Sequence, residues 1–452
     1  MQHAHRITRL TSLALGITGA LAFGHVQASG FQLKENSVKA MGSAFAGSGV
    51  MTGDTSVVVN NPATMTQFEG TTAQLDVTVV DVNANFQGGG FDATGRPLTG
   101  GNGGEAGGVT PVPTSSVVHK FGNGVAVGAM ISAPFGLKTE YEDNWVGRYT
   151  AHTSDVQIVD LTLSAALDLV PDHLSVGVGL IYSHADVQLS KSVDFGTALF
   201  GNPATRALPF ARPQMRDGFA DVQGQDSGFG WVFGVTLRPT EKLSIGYSHR
   251  SEIDYELSGD VDWTVPQDVA AVFGASPTTR VLFQDGRASA KLTTPATDTV
   301  AVNYQFNEQL SLALTYAETG WESVQEVRID FANPDPDSVE AFNWDTTRFM
   351  SIGGEYALSD SLTLRAGYAY DETPTTFATR TPRLPDEDRK WYSIGATWQM
   401  SPALGVSLAY TRIMPDRPQI GIVTPAAQGG QRLFGSYDSD VNLFGVSAQY
   451  AF

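Results

Sequence analysis

Residues 160–169 read Asp160-Leu161-Thr162-Leu163-Ser164-Ala165-Ala166-Leu167-Asp168-Leu169. Leu161, Leu163, Ala165, Leu167 and Leu169 share one parity, while Asp160, Thr162, Ser164 and Asp168 take the other. A period of two is the repeat of an extended chain whose successive side chains point to opposite faces. The stretch therefore predicts a strand with one oily and one polar side. The same alternation runs through Leu243, Ile245, Tyr247, Ile253, Tyr255 and Leu257. It recurs at Val300, Val302, Tyr304 and Phe306, at Leu310 to Tyr316, at Leu362 to Tyr370, and at the end in Phe444, Val446, Ala448, Tyr450 and Phe452.

The connections between these runs alternate in length. Short turns fall at Gly122-Asn123-Gly124, Val170-Pro171-Asp172-His173, Pro239-Thr240-Glu241-Lys242, Asn307-Glu308, Leu358-Ser359-Asp360 and Ser401-Pro402-Ala403. Long polar connections cover about 87–113, 138–153, 191–225, 259–287, 333–343, 373–387 and 415–438. Six short turns and seven long loops join fourteen strands. An even strand number with short turns at one end and long loops at the other predicts an all-β fold: a transmembrane 14-stranded antiparallel β-barrel over residues 69–452, of the outer-membrane type. A closed barrel pairs every backbone polar group inside hydrocarbon without leaving an edge. Tyr182, Tyr304, Phe306, Tyr316, Tyr356, Trp398 and Tyr410, near strand ends, suit interfacial aromatic girdles.

Composition agrees. The 452 residues include no Cys, 48 Gly and only 17% charged residues, against about 25% in ordinary soluble domains. Without Cys there are no disulfides, thiolate metal sites or cysteine nucleophiles. A formal net charge of −19 argues against nucleic acid as a partner. Beyond the N-terminus no apolar run reaches the 18 residues of a helical span.

Residues 1–28 read as a signal peptide: Arg6 and Arg9, an apolar stretch from Leu10 to Phe23, then Val26-Gln27-Ala28. Residues 29–68 lack period two, are rich in small residues, and place Val38, Met41, Ala44 and Phe45 at helical spacing. With no place in the wall and too many apolar residues for a solvated tail, this segment is expected inside the lumen as a plug, or hatch.

At this point the residues resemble the outer-membrane long-chain fatty acid transporters of the FadL/TodX family. The resemblance rests on Ser29-Gly30-Phe31-Gln32-Leu33, Asn61-Pro62-Ala63, Phe135-Gly136-Leu137-Lys138-Thr139-Glu140-Tyr141, Tyr247-Ser248-His249-Arg250-Ser251-Glu252, Leu384-Pro385-Asp386-Glu387-Asp388-Arg389 and Tyr450-Ala451-Phe452, in this order. It implies passive transport of hydrophobic compounds: loops catch the ligand, a lumen site beside the plug holds it, and a kinked strand releases it sideways into the membrane. Long-chain fatty acids are the leading substrate, and aromatic hydrocarbons or other neutral apolar compounds the alternative. It also implies a monomer in the Gram-negative outer membrane, amid lipopolysaccharide. The terminal Tyr450 and Phe452 resemble the signature read by the barrel-assembly machinery.

Candidate sites follow. The loops 191–225 and 259–287 carry Phe195, Leu199, Phe200, Leu208, Phe210 and Phe219, then Trp263, Val269, Val272 and Phe273; they form either a greasy capture groove or a self-packed loop cluster. By resemblance, Arg328 takes the position of a basic lumen residue near the ligand head group, with a structural ion pair as the alternative. The family's second basic position falls near Val187-Gln188-Leu189, which holds no cation, although Lys191 is close; this leaves room for an uncharged ligand. Phe31 resembles a plug aromatic that touches ligand. Pro134 and Gly136 weaken a ladder and mark a kink or bulge in the third strand, the expected lateral gate, with Asn61 and Pro62 fixing the plug turn. The run Asp386-Glu387-Asp388 reads as solvated charge, or as a meeting point for divalent ions. Beyond the expected signal peptide, five scattered His (His119, His152, His173, His184, His249) and no Ser/His arrangement or metal spacing predict no catalysis, no metal and no cofactor.

Overall fold

A computed structural model describes residues 30–425 and 429–452; the expected signal peptide and Ser29 lie outside them. The wall has fourteen crossings. β1 to β6 are Thr71–Phe91, Gly108–Lys120, Val125–Glu140, Thr153–Val170, Leu174–Asp194 and Asp217–Thr240. β7 to β10 are each broken in two: Leu243–Arg250 and Ile253–Thr264; Gly286–Thr294 and Thr297–Gln305; Leu310–Thr319 and Glu326–Phe331; Ser338–Ala341 and Thr347–Ser359. β11 is Leu362–Asp371, β12 Arg389–Gln399, β13 Leu404–Pro415 with Gln419–Val423, and β14 Arg432–Ala451. Each pairs antiparallel with the next, and β14 closes on β1 from Thr72↔Ala451 to Phe91↔Arg432. The expected barrel is the fold.

The face assignment decides what the wall is. Leu161, Leu163, Leu167 and Leu169 are exposed on the outer surface, while Asp160, Thr162 and Ser164 are buried on the lumen side. An apolar exterior over a polar interior is the order expected in lipid. Several strands run farther than the alternation does. β5 reaches Asp194, β6 starts at Asp217, and β14 starts at Arg432, all inside stretches read as loop. Outside the bilayer neither face of a strand need be oily, so the ladder continues where the sequence pattern fades.

Residues 30–68 fill the lumen at the turn end and are almost wholly buried. Ser37 caps the short helix Val38–Met41, and the Val38 N–H donates to Asp76 on β1 (2.9 Å). Asn61 opens the 3₁₀ turn Pro62–Gln67: its Oδ1 accepts from the Ala63 N–H (3.2 Å), and its Nδ2 donates to the Val235 carbonyl (3.1 Å) and Thr236 Oγ1 (3.2 Å). The wall is notched to admit it. A Cβ on Gly234 would lie 2.0 Å from Asn61 Oδ1, and one on Gly367 2.1 Å from the Ser43 carbonyl oxygen.

A candidate lumen site at the third-strand kink

β2 and β3 pair from Lys120↔Ala126 only as far as Ser115↔Ile131. Beyond that point β2 keeps β1 as its ladder partner and β3 keeps β4, and β3 shifts register against β4 between Ser132 and Phe135. Pro134, which has no N–H to give, sits within this shift. The wall recloses toward the loop end, where the Glu140 N–H donates to the Ala106 carbonyl (3.0 Å). The result is a window between β2 and β3.

The start of the plug covers the window from inside. Gln32 forms a bridge with Phe135, the Leu33 N–H donates to the Pro134 carbonyl (2.7 Å), and the Gly136 N–H donates to the Phe31 carbonyl (2.8 Å). Three residues of plug thus act as a strand beside the kink. Gly136 permits the approach, since a Cβ there would meet Leu33 Cδ1 at 3.1 Å. Phe31 is buried among Phe135, Trp321 and Trp344, with ring centroids 5.6, 5.0 and 6.1 Å away. Both tryptophans come from breaks in the wall, Trp321 between the halves of β9 and Trp344 between the halves of β10.

The lining changes character at this height. On the loop side Ile158, Ile181, Ile253, Tyr255 and Leu257 point inward and are buried with Phe135 and Trp321. Their outward neighbours Asp254 and Glu256 are exposed. This corrects the reading of β7 as one amphipathic strand. Tyr247 faces outward, but Ile253, Tyr255 and Leu257 face the lumen, because the break at Ser251-Glu252 inverts the oily face. The lumen is polar and plugged at one end and apolar at the other.

At the junction lies a cavity of about 130 Å³ lined by Gln32, Leu33, Lys34, Asn36, Phe45, Ser132, Pro134, Val232, Ser248, Arg250, Thr297 and Phe349, among others. The Lys34 ammonium stands 4.3 Å from the centre of the Phe349 ring, and burial pulls it below its ordinary value, opposed by Asp371 and Glu35. Neither oxygen of the neighbouring Glu35 carboxyl makes a well-formed hydrogen bond. Burial raises that group to about 7, with nearby backbone groups and the charges of Arg389 and Lys34 countering only part of the effect.

Arg328 is elsewhere. Val327 and Ile329 take the inward positions of their short segment, so the alternation turns Arg328 out. There it pairs with Glu326 (3.0 Å) and Asp337 (3.2 Å) on an exposed face. Asn61 and Pro62 meet β5, β6 and β7, against Gly177, Gly234 and Gly246, and are not at the kink. Trp263 and Phe273 come together on Phe283, with ring centroids 5.0 and 5.4 Å from it, and Phe210 packs on the same cluster. Phe200 faces the guanidinium groups of Arg206 and Arg212 instead.

The run Asp386-Glu387-Asp388 is not a solvated face. The loop after β11 folds inward, where Asp386 is buried, pairs with Arg389 (2.7 Å) and accepts from the Gly30 N–H (3.0 Å). Glu387 pairs with Arg380 (2.7 Å), and Asp388 accepts from the Tyr370 hydroxyl (2.5 Å). Two buried arginines, Arg380 and Arg389, allow the acidic run to leave water. Sequence reading also passed over Trp321, Trp344, Lys34 and Arg250 as site residues. The interrupted alternation at Gly320-Trp321 and the lone cation at Arg250, on the polar parity of β7, were the signals that could have found them.

The sequence profile of an outer membrane protein transport protein family (OMPP1/FadL/TodX) matches residues 19–452. The chain is 28% identical over 468 residues to outer membrane protein P1 of Haemophilus influenzae, covering 96% of this chain and 97% of that one. It is 27% identical to the long-chain fatty acid transport protein of Salmonella typhi, covering 98% and 99%. The crystal structure of a Pseudomonas aeruginosa FadL homologue superposes with a TM-score of 0.87 at 29% identity, covering 93% of this chain and 99% of that one. A barrel with a lipid-facing exterior, a lumenal plug and matches along nearly its whole length make the chain a Gram-negative outer-membrane member of the OMPP1/FadL/TodX transport family.

Proposed function

We propose that the chain is a passive channel for long-chain fatty acids, which leave it sideways through the window between β2 and β3. The observation that carries this reading is the strand Phe31–Leu33, hydrogen-bonded into the β3 kink where β3 has parted from β2. The loops holding Trp263, Phe273, Phe210 and Phe200 take the ligand from water. The apolar half of the lumen receives its tail, and movement of Phe31–Leu33 opens the wall.

The energies are compatible. Releasing two backbone hydrogen bonds costs about 0.5–1.5 kcal/mol each, and uncovering Phe31 about 1.5–3 kcal/mol. At about 0.8 kcal/mol per buried methylene, roughly three to eight methylenes of a bound acyl chain offset that cost. Sideways exit keeps those methylenes out of water. The barrel leaves no unpaired edge between β14 and β1, which suits a monomer inserted by the assembly machinery through its terminal Tyr450-Ala451-Phe452 and surrounded by lipopolysaccharide.

Labelled oleate uptake by cells lacking their own transporter tests the reading. The wild-type chain is expected to restore uptake. Gln32→Cys with Phe135→Cys, a facing pair in a chain with no other cysteine, is expected to block uptake when oxidised and permit it when reduced. No uptake by wild type, or full uptake through the oxidised pair, overturns the proposal.

A further inference from the structure

At the loop end, the connection between β1 and β2 meets the connection between β5 and β6 around an open pocket of about 430 Å³. Thr94 and Arg96 line it from the first loop, and Phe200, Arg206, Arg212 and Pro213 from the second. The chain has 47 acidic and 28 basic residues, so a cation here has carboxylates to choose from. Arg216, on the same loop, pairs with Asp268 (2.6 Å). Among the described residues Arg96, Arg206 and Arg212 make no ion pair with any carboxylate. Three unneutralised guanidinium groups share one pocket.

The pocket is held in shape. Arg206 Nε donates to the Phe200 carbonyl (3.1 Å) and Arg212 Nη1 to the Ala211 carbonyl (3.1 Å). Both guanidinium groups also lie against the Phe200 ring, with Cζ 5.6 and 6.0 Å from its centre, within reach of cation–π attraction. Their remaining nitrogens are left for a ligand. Gln214 ties Arg96 to this pair. Its Oε1 accepts from the Thr99 N–H (2.7 Å) and hydroxyl (2.9 Å), and its Nε2 donates to Asp92 (3.2 Å) and the Pro97 carbonyl (3.1 Å). Asp92 in turn accepts from the N–H groups of Thr94 (2.8 Å) and Arg96 (3.1 Å), which fixes the turn that carries Arg96. Gln214 itself has a φ of 63°, and its N–H is held by the Asp194 carboxylate (3.0 Å). A left-handed residue with a side chain persists only where its surroundings over-determine it.

The number of cations selects the anion. A monocarboxylate is planar, carries one charge and is satisfied by a single guanidinium fork. A phosphate monoester carries nearly two charges and three free oxygens, so it takes donors on three sides. The volume is in the range of small-molecule sites and leaves room for a sugar-sized group beyond the phosphate. We propose that Arg96, Arg206 and Arg212 form an external binding site for a phosphate monoester, distinct from the lumen and independent of the transport reading. Two sources present this chemistry outside the cell: the phosphorylated sugars of lipopolysaccharide and soluble phosphate esters.

The test is equilibrium binding of glucose 6-phosphate and of acetate to the full-length protein purified in detergent. Wild type is expected to bind glucose 6-phosphate more tightly than acetate. Arg96→Gln, Arg206→Gln and Arg212→Gln should each weaken it by roughly 10-fold, the worth of a hydrogen bond to a charged group, and the triple variant should abolish binding. Arg328→Gln, exposed but paired with carboxylates, should change nothing. Gln214→Gly, which keeps the backbone conformation but unties the loops, should weaken binding about as much as Arg96→Gln and add little to it. Competition by phosphorylated lipopolysaccharide that disappears after phosphatase treatment assigns the site to the surrounding lipid; its absence assigns the site to a soluble ester. No binding of glucose 6-phosphate by wild type, equal binding by the triple variant, or acetate bound as tightly as the phosphate ester overturns the proposal.

Discussion

Asn61 does three things with one amide: it caps the turn that begins at Pro62, holds the plug to Val235 and reaches Thr236. Asn61→Ala removes the cap, worth about 1 kcal/mol, and leaves the contacts to β6 unmade, so the plug should loosen by about 1–3 kcal/mol while the wall persists. Limited proteolysis of folded barrel reads this directly, because nicking follows the population of the opened segment. Cleavage within residues 30–68 is expected to accelerate roughly 5- to 150-fold. Glu35 supplies the pH dependence. Its carboxyl is raised from 4.5 to about 7 by burial, so the docked plug binds a proton that the released plug gives up. Docking strength from this group is full below about 4.5 and is lost as pH rises through about 7. Nicking should therefore speed up between pH 5 and pH 8, by roughly tenfold or more. Glu35→Gln is expected to flatten that part of the curve. A variant whose profile still follows wild type would show that other buried groups, such as Asp371 or Asp386, carry the dependence.

The strands were legible because lipid imposes a strict rule on them. Each membrane crossing has one face in hydrocarbon, and a period of two is hard to hide over ten residues. Beyond the bilayer the rule lapses. β5, β6 and β14 continue as ladder without the pattern, and β7 keeps its parity while exchanging its faces at Ser251-Glu252. The kink was legible for a local reason, since Pro134 and Gly136 announce a disturbed strand by their own chemistry. Its inner cover was not, because Phe31–Leu33 pairs with β3 from more than a hundred residues away. Arg328 misled because the break after Trp321 resets which side chains point inward. The window yields its own prediction. In Gly136→Val the added Cβ starts 3.1 Å from Leu33 Cδ1, and a branched side chain must push Phe31–Leu33 off the kink. Proteolysis near residues 31–36 should quicken several-fold while cutting elsewhere in the plug changes little. Unchanged cleavage at that site would mean the strand yields without leaving β3.

At the scale of the molecule, wall and plug are held by different interactions. The wall closes on itself through an unbroken β1–β14 ladder from Thr72↔Ala451 to Phe91↔Arg432, and none of those bonds passes through the lumen. The plug is held by side-chain hydrogen bonds, by notches at Gly234 and Gly367, and by the short strand at the kink. Deleting residues 30–68 should therefore leave a barrel that still folds, seen as retained heat-dependent mobility in gels, but with an open lumen. The lower lining is Thr, Ser and Gly with buried Asp76 and Asp160, so the space left behind is wettable. In planar bilayers the deleted form is expected to carry a stable current where the intact protein carries little. The chain as a whole has 47 acidic against 28 basic residues, and the lipid-facing surface can hold almost none of that surplus, since a charge there is expensive. The excess must sit on the lumen and the water-facing ends, where it sets the potential that an entering ion meets. The open form should accordingly pass cations in preference to anions, measured as the reversal potential under a salt gradient. A closed bilayer record from folded, deleted protein would show that the loop after β11, anchored by Arg380, Arg383 and Arg389, seals the lumen without help from the plug.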